Sequence, residues 1–352
     1  MDQPLIFDGH NDCLLRLQSD SPAEAFFDGR ESGHLDYPRA QAGNFGGGIF
    51  ALFVSPSPDT TPREQRRQQT PDGFSLEPPL QLRPTYAQQV TDDLLARLEA
   101  VLDAGAGRMR LVESATDLRW CFENDVLACV LHFEGAEAID VDCSNLQSYY
   151  ERGLRSLGLV WSRPNQFGHG VPFEFPGSPD TGPGLTEHGE VLVRRCNELG
   201  IVVDLAHLNE RGFWDVVTTS SAPLVVSHTG VHDICPSPRN LTDEQLDAVG
   251  DSDGIVGISF AAFGLRPDGA RDTDVSVGTL VDHVEYVADS IGVEHVGLGS
   301  DFDGAEVLDA VGDVTGVGAV LEELEARGFD AADRRKIAHE NWVRVLEATW
   351  KE

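Results

Sequence analysis

The chain has 352 residues, with 59 acidic side chains against 26 basic ones and a formal net charge of −33. A surface this acidic repels nucleic acid, and it repels itself unless salt screens it, so polyanion binding is excluded. Only Lys336 and Lys351 are lysines; short hydrated carboxylates in place of lysine stems suit a salt-accumulating, halophilic cytoplasm, whereas heat adaptation enriches Lys and Glu together.

The hydrophobic fraction of 41% is enough for a substantial core, and the length suits one large barrel domain. The opening MDQPLIFDGHND has no basic segment ahead of a long apolar run, and no stretch is apolar enough to span a bilayer. The closing LEATWKE carries no apolar tail of the kind a glycolipid anchor needs. The expectation is a cytoplasmic protein without membrane attachment. Six cysteines, at 13, 121, 129, 143, 196 and 235, include no CxxC pair, so reduced, buried thiols are expected rather than a zinc ribbon or disulfides.

In chain order, apolar runs predict strands over Pro4 to Phe7, Gly48 to Val54, Val126 to Phe133, Ser156 to Trp161, Ile201 to Leu205, Pro223 to Ser227, Gly254 to Phe260 and Val296 to Ser300. Several are unbroken Val/Ile/Leu runs, which strands buried on both faces require. Amphipathic stretches lie between them, at Tyr86 to Leu102, Glu187 to Leu199, Thr242 to Val249 and Val277 to Ile291. Eight strand–helix units predict an α/β fold of the (β/α)₈ TIM-like barrel class, one domain over residues 1–352. One segment breaks the rhythm: residues 55–84, opening SPSPDTTPREQRRQQTPDGF, are expected to be a mobile insertion, either a lid over the barrel mouth or a surface loop.

Polar residues then fall at the ends of these strands. His10 and Asp12 follow the first, two apart and able to face one cavity. Glu134 follows the third, His207 and His228 end the next two that carry a histidine, and Asp301 ends the last. In a barrel of this class those ends converge on one mouth, where active sites sit. Three imidazoles with two carboxylates match the nitrogen and oxygen donors of a catalytic zinc site. Five ligands (His10, Asp12, Glu134, His207, His228) are too many for one open zinc, so two divalent ions bridged by Glu134 are expected, with zinc the expected metal.

The order of motifs resembles the renal (membrane) dipeptidase family of zinc peptidases, over most of the chain. DGHND is similar to its first metal motif, the EG of LHFEGAEAID to its bridging-glutamate segment, and IVVDLAH and LVVSHTG to its two histidine strands. CPSPRNLTDEQL resembles the segment whose arginine grips the substrate carboxylate, which implies that role for Arg239, and GLGSDFDG resembles the segment of the proton-transferring aspartate, which implies Asp301. The resemblance implies hydrolysis of a dipeptide by a hydroxide bridging two metal ions, and a homodimer. Animal members carry a histidine after the fourth strand; this chain has Trp161 there, in LGLVWSRPNQFGHGV, either as packing or stacked on substrate, with Arg163, Asn165 or His169 as substitutes at the oxyanion. An amidohydrolase acting on a cyclic amide, lactam or lactone is the alternative, as is a catalytically silent metal-binding barrel. HxD in place of HxH favours the dipeptidase, and no basic group other than Arg239 is placed for a phosphoester.

Overall fold

Eight parallel strands follow one another around a nearly closed barrel, in sequence order and each hydrogen-bonded to the next. They are β1 (Ile6–Asn11), β2 (Phe45–Phe53), β3 (Leu127–Glu134), β4 (Leu154–Gly158), β5 (Val202–Asp204), β6 (Val225–Thr229), β7 (Ile255–Ile258) and β8 (Val296–Leu298). A short strand, Met109–Leu111, adds to the lower half of one edge of β3, whose upper half pairs with β4. This computed structural model describes residues 3–18, 23–56, 61, 63–71 and 73–351.

The apolar runs form strands because they are covered on both faces: all eight residues of β3 are buried. One cluster joins strands to the surrounding helices. A second gathers Phe7, Ile49, Val130, Val202, Val225 and Ile255, one from each of six strands, around Trp342, Val345 and Leu346 of the C-terminal helix Asn341–Thr349. Six strands can reach one cluster only from the inside, so Trp342 plugs the lower barrel. Its indole N–H donates to Leu298 O at 2.9 Å. A Cβ on Gly9 would come within 2.1 Å of the ring, so a side chain there is incompatible with the plug.

β1 and β8 are joined at the mouth by other means. Asp301 N donates to His10 O (3.0 Å), Asp12 N to Phe302 O (2.7 Å), and Ser300 N and Oγ to the Asp8 carboxylate, both at 2.7 Å.

The helices Glu187–Leu199 and Val277–Ile291 have the predicted bounds. Thr186 and Ser276 cap their first turns, and Gly200, in the left-handed region at φ 76°, ends the first of them. Strand ends differ more. β1 runs to Asn11 rather than Phe7, because a bulged register carries its pairing with β2 as far as Phe50. β4 stops at Gly158, three residues short of Trp161. Within 55–84, residues 57–60, 62 and 72 lie outside the described residues. The rest includes two antiparallel strands, Arg67–Thr70 and Gly73–Leu76, the second paired with Phe173–Phe175 in a separate three-stranded sheet. All six cysteines are free and buried. Among the described residues no helix is long and apolar enough to cross a membrane.

Candidate active site

Every polar residue singled out at a strand end reaches the mouth, by three routes. His10 and His228 sit inside β1 and β6, and Glu134 is the last residue of β3. Asp12 follows β1 directly. His207 and Asp301 lie three residues beyond β5 and β8, both in the left-handed region at φ 68° and 61°. Backbone strain of that kind in non-glycine residues concentrates where a side chain must be aimed.

Glu134 Oε1 is the centre of the arrangement. It lies 3.0 Å from His207 Nε2, 3.8 Å from His228 Nε2 and 3.9 Å from His10 Nε2. His10 Nε2 is 3.3 Å from Asp12 Oδ2, and His207 and His228 bring their Nε2 atoms to 3.1 Å. The His10 ring stacks on that of His228 at 3.8 Å. Two groups of three donors, His10/Asp12/Glu134 and Glu134/His207/His228, each have their ligand atoms within 4.8 Å of one another.

Serines orient these rings from behind. Ser227 Oγ donates to Asp204 Oδ2 at 2.5 Å and lies 2.8 Å from His228 Nδ1. A hydroxyl has one proton, so Ser227 accepts from Nδ1–H, which leaves His228 Nε2 as a bare lone pair aimed at Glu134. Ser162 Oγ holds His207 Nδ1 at 2.8 Å. Asp12 Oδ1 is buried without a hydrogen-bond partner. Imidazole nitrogens and carboxylate oxygens converging on one point, with Asp12 Oδ1 left over, are a donor set for cations, and these residues fit divalent metal.

The electrostatics agree. Burial first, then the Asp12 charge, holds the Glu134 carboxyl well above the usual range and pushes Asp301 up to about 7. Burial pushes the imidazoles of His207 and His228 well down, with His10 and Arg239 adding to the effect. Against the pull of burial, Asp12 and then Glu134 push His10 up to about 10, so one imidazole takes up the proton that balances part of the acid charge; a bound dication would take over that part and reverse the logic for all three rings.

Outside this cluster the mouth opens into a cavity of about 340 Å³. Aromatic rings line one side: Phe53, Trp161, Phe173 and Phe263. Trp161 packs 5.0 Å from Phe53 and 5.6 Å from the His207 ring, centroid to centroid. Arg239 reaches the cavity largely buried, with one NH₂ group on His228 O at 3.3 Å and Nε without a partner.

The family pattern described as membrane dipeptidase (peptidase family M19) matches residues 1–351. This chain belongs to that family. A metallopeptidase of Rhodobacter sphaeroides, solved with a phosphinate mimic of the dipeptide L-Ala-D-Ala, superposes with a TM-score of 0.95 at 44% identity, covering 99% of this chain and all of that one (100%). A protein from the pqqA 5′ region of Klebsiella pneumoniae is 45% identical over 258 residues, 73% of this chain and 95% of its own length. Dipeptidase aclJ of Aspergillus oryzae is 30% identical over 352 residues, covering 97% of this chain and 77% of that one.

The M19 resemblance stated from the motifs is therefore correct, and membership implies a divalent metal. The suggested oxyanion substitutes are engaged elsewhere in this M19 chain. Arg163 is fully buried, with Nε on Glu137 Oε1 at 2.6 Å and an NH₂ group on Val54 O at 2.8 Å. Asn165 bonds Leu159 O and the Phe167 amide, and His169 lines a different cavity. Asp303 holds the Arg16 and His34 loop, and His232 bonds Gly177 O.

Sequence reasoning missed the tier behind the M19 site. Asp8 is fixed by Ser300, His132 Nδ1 by Ser156 Oγ at 2.9 Å, and His132 Nε2 lies 3.6 Å from Asp204 Oδ2. A signal existed: Asp8 precedes His10, and His132 precedes Glu134, by the two-residue step that already linked His10 with Asp12. The serines carried none.

Proposed function

We propose that this chain is a binuclear-metal dipeptidase, with zinc the expected ion, that hydrolyses the peptide bond of small dipeptides. The observation that carries the reading is that Glu134 Oε1 belongs to two donor triads at once, one with His10 and Asp12, the other with His207 and His228. A carboxylate so shared would hold two ions economically. When bound, the pair supplies an acidified water and a Lewis acid for the carbonyl oxygen.

The remaining work falls to side chains of this chain. Arg239, buried and with Nε free, grips the terminal carboxylate of the substrate in a charge-assisted fork. Asp301, on the cavity wall, takes a proton from the attacking water and returns it to the leaving amine. Trp161 stands between Phe53 and Phe173 and stacks on the substrate as it lies across the mouth. The family, and the relative that binds a dipeptide mimic, support the substrate class.

The test is elemental analysis of the purified protein together with hydrolysis of a dipeptide panel in concentrated salt. Two ions per chain are expected, with activity lost on chelation and restored by zinc. Glu134→Gln should lower the metal content, since a neutral amide bridges two dications poorly. A fully metallated protein that cleaves no dipeptide of either configuration would sink the proposal.

A further inference from the structure

A dipeptide has one terminal carboxylate, but two guanidinium groups face this cavity, those of Arg239 and Arg271. Neither forms an ion pair among the described residues, in a chain where acidic groups outnumber basic ones 59 to 26. Arg271 stands at the rim, half-buried, its guanidinium 5.4 Å from the centroid of Phe263 and 6.0 Å from that of Phe74. Its Nε is buried without a hydrogen-bond partner. Arg67 lies 4.5 Å from the same Phe74 ring, so two cations share one aromatic support. Burial first and Arg67 next hold the Arg271 guanidinium below its usual range, and Glu306 across the rim only partly offsets them.

The local fold presents Arg271 deliberately. The turn before it is tied by Asp268, which accepts from Arg266 and from the Ala270 amide. Gly269, at φ 62°, lies so close to Phe175 that a Cβ would come within 2.1 Å of its ring. Phe175 pairs with Phe74 across the rim sheet. The hairpin from the Pro- and Gln-rich segment thus holds the ring beneath Arg271.

We infer that Arg271 is a specificity-determining residue that selects dipeptides carrying a second carboxylate, on the side chain of an aspartyl or glutamyl residue. The inference rests on the dipeptidase reading above. Arg239 takes the α-carboxylate beside the His228 strand, and Arg271 receives the side-chain acid at the aromatic rim. A partly desolvated guanidinium with no carboxylate in ion-pair contact, Glu306 acting on it only from a distance, makes that contact a charge-assisted one, strong enough to discriminate an acid from the isosteric amide by about tenfold or more.

The experiment compares kcat/KM for matched pairs, Ala-Asp against Ala-Asn and Asp-Ala against Asn-Ala, with both configurations at the second residue. The metal-loaded full chain is measured beside Arg271→Met and Arg271→Lys. A second readout is the rise in melting temperature with phosphinate analogues bearing either the acid or the amide side chain. The expected result is an acid-to-amide ratio of about ten or more, in at least one pair, that collapses toward one in Arg271→Met and partly returns in Arg271→Lys. The larger thermal shift with the acidic phosphinate should be lost in the same variant. Amide dipeptides cleaved as well as acidic ones by the parent enzyme, or a ratio unmoved by Arg271→Met, overturn the inference and leave the dipeptidase reading standing. If neither set is cleaved and neither phosphinate shifts the melting temperature, both fall.

Discussion

Ser227 donates its only proton to Asp204, at 2.5 Å, and this one bond sets the tautomer of the histidine next in sequence. Ser227→Ala removes the acceptor on His228 Nδ1 and frees the ring to carry its proton on Nε2. Loss of an outer contact of this kind costs about 10–100-fold in metal affinity. Competition against a chromophoric chelator should show that loss for one of two ions. Unchanged affinity for both would mean that Ser227 does not orient His228.

Trp342 should matter more to stability than any other residue of the C-terminal helix. It is fully buried and packs against strand residues from all round the lower barrel. Trp342→Ala should destabilise the fold by about 3–5 kcal/mol, the range for removing a large buried aromatic side chain. Denaturant unfolding at constant salt measures this. A cost below about 1 kcal/mol would show that the barrel closes without its plug.

His283 gives the fold an acid limit. Its Nδ1 accepts from Val231 N and its Nε2–H donates to Leu265 O, each at 2.9 Å, so only the neutral ring satisfies both. Burial lowers its pKa from 6.5 to about 4. A folded-state value below the unfolded one contributes stability that is complete above about 6.5 and is lost as pH falls toward about 4. In that window this one group should steepen the pH dependence of unfolding by up to about 1.4 kcal/mol per pH unit. The difference in slope between the parent and His283→Gln isolates the effect; parallel slopes would refute it.

Salt should stabilise the protein. With a net charge of −33, repulsion over the surface weakens as the Debye length contracts from about 10 Å at 0.1 M to about 3 Å at 1 M. Thermal unfolding in KCl across about that range is expected to show a rising midpoint. A flat or falling midpoint would remove the case for salt adaptation.

The parts of this protein that could be read in advance are those whose signals are local. Glu187–Leu199 and Val277–Ile291 announce themselves by amphipathic period, capping hydroxyl and a terminal glycine, Gly200 and Gly292. The residues gathered around Glu134 were legible because each stands out as polar at the close of an apolar run. Strand ends were less so: in VVDLAHL nothing marks the ladder stopping at Asp204, with His207 three residues on and itself in the left-handed region. The hairpin Arg67–Leu76 was invisible, since RQQT has no apolar alternation and its partner, Phe173–Phe175, lies some hundred residues further on. Arg271 went unremarked for a related reason: of the two rings that support it, Phe74 comes from that hairpin, far back in the chain, and only Phe263 is near it in sequence.

The rim sheet shares no strand with the barrel. Its Phe173 ring meets the His207 imidazole at 6.1 Å, but mutations on its outer strand, Arg67–Thr70, can accumulate without disturbing the geometry around Glu134. Selection for a new diet of substrates would act first on this outer fabric, and the chemistry beneath would be inherited intact.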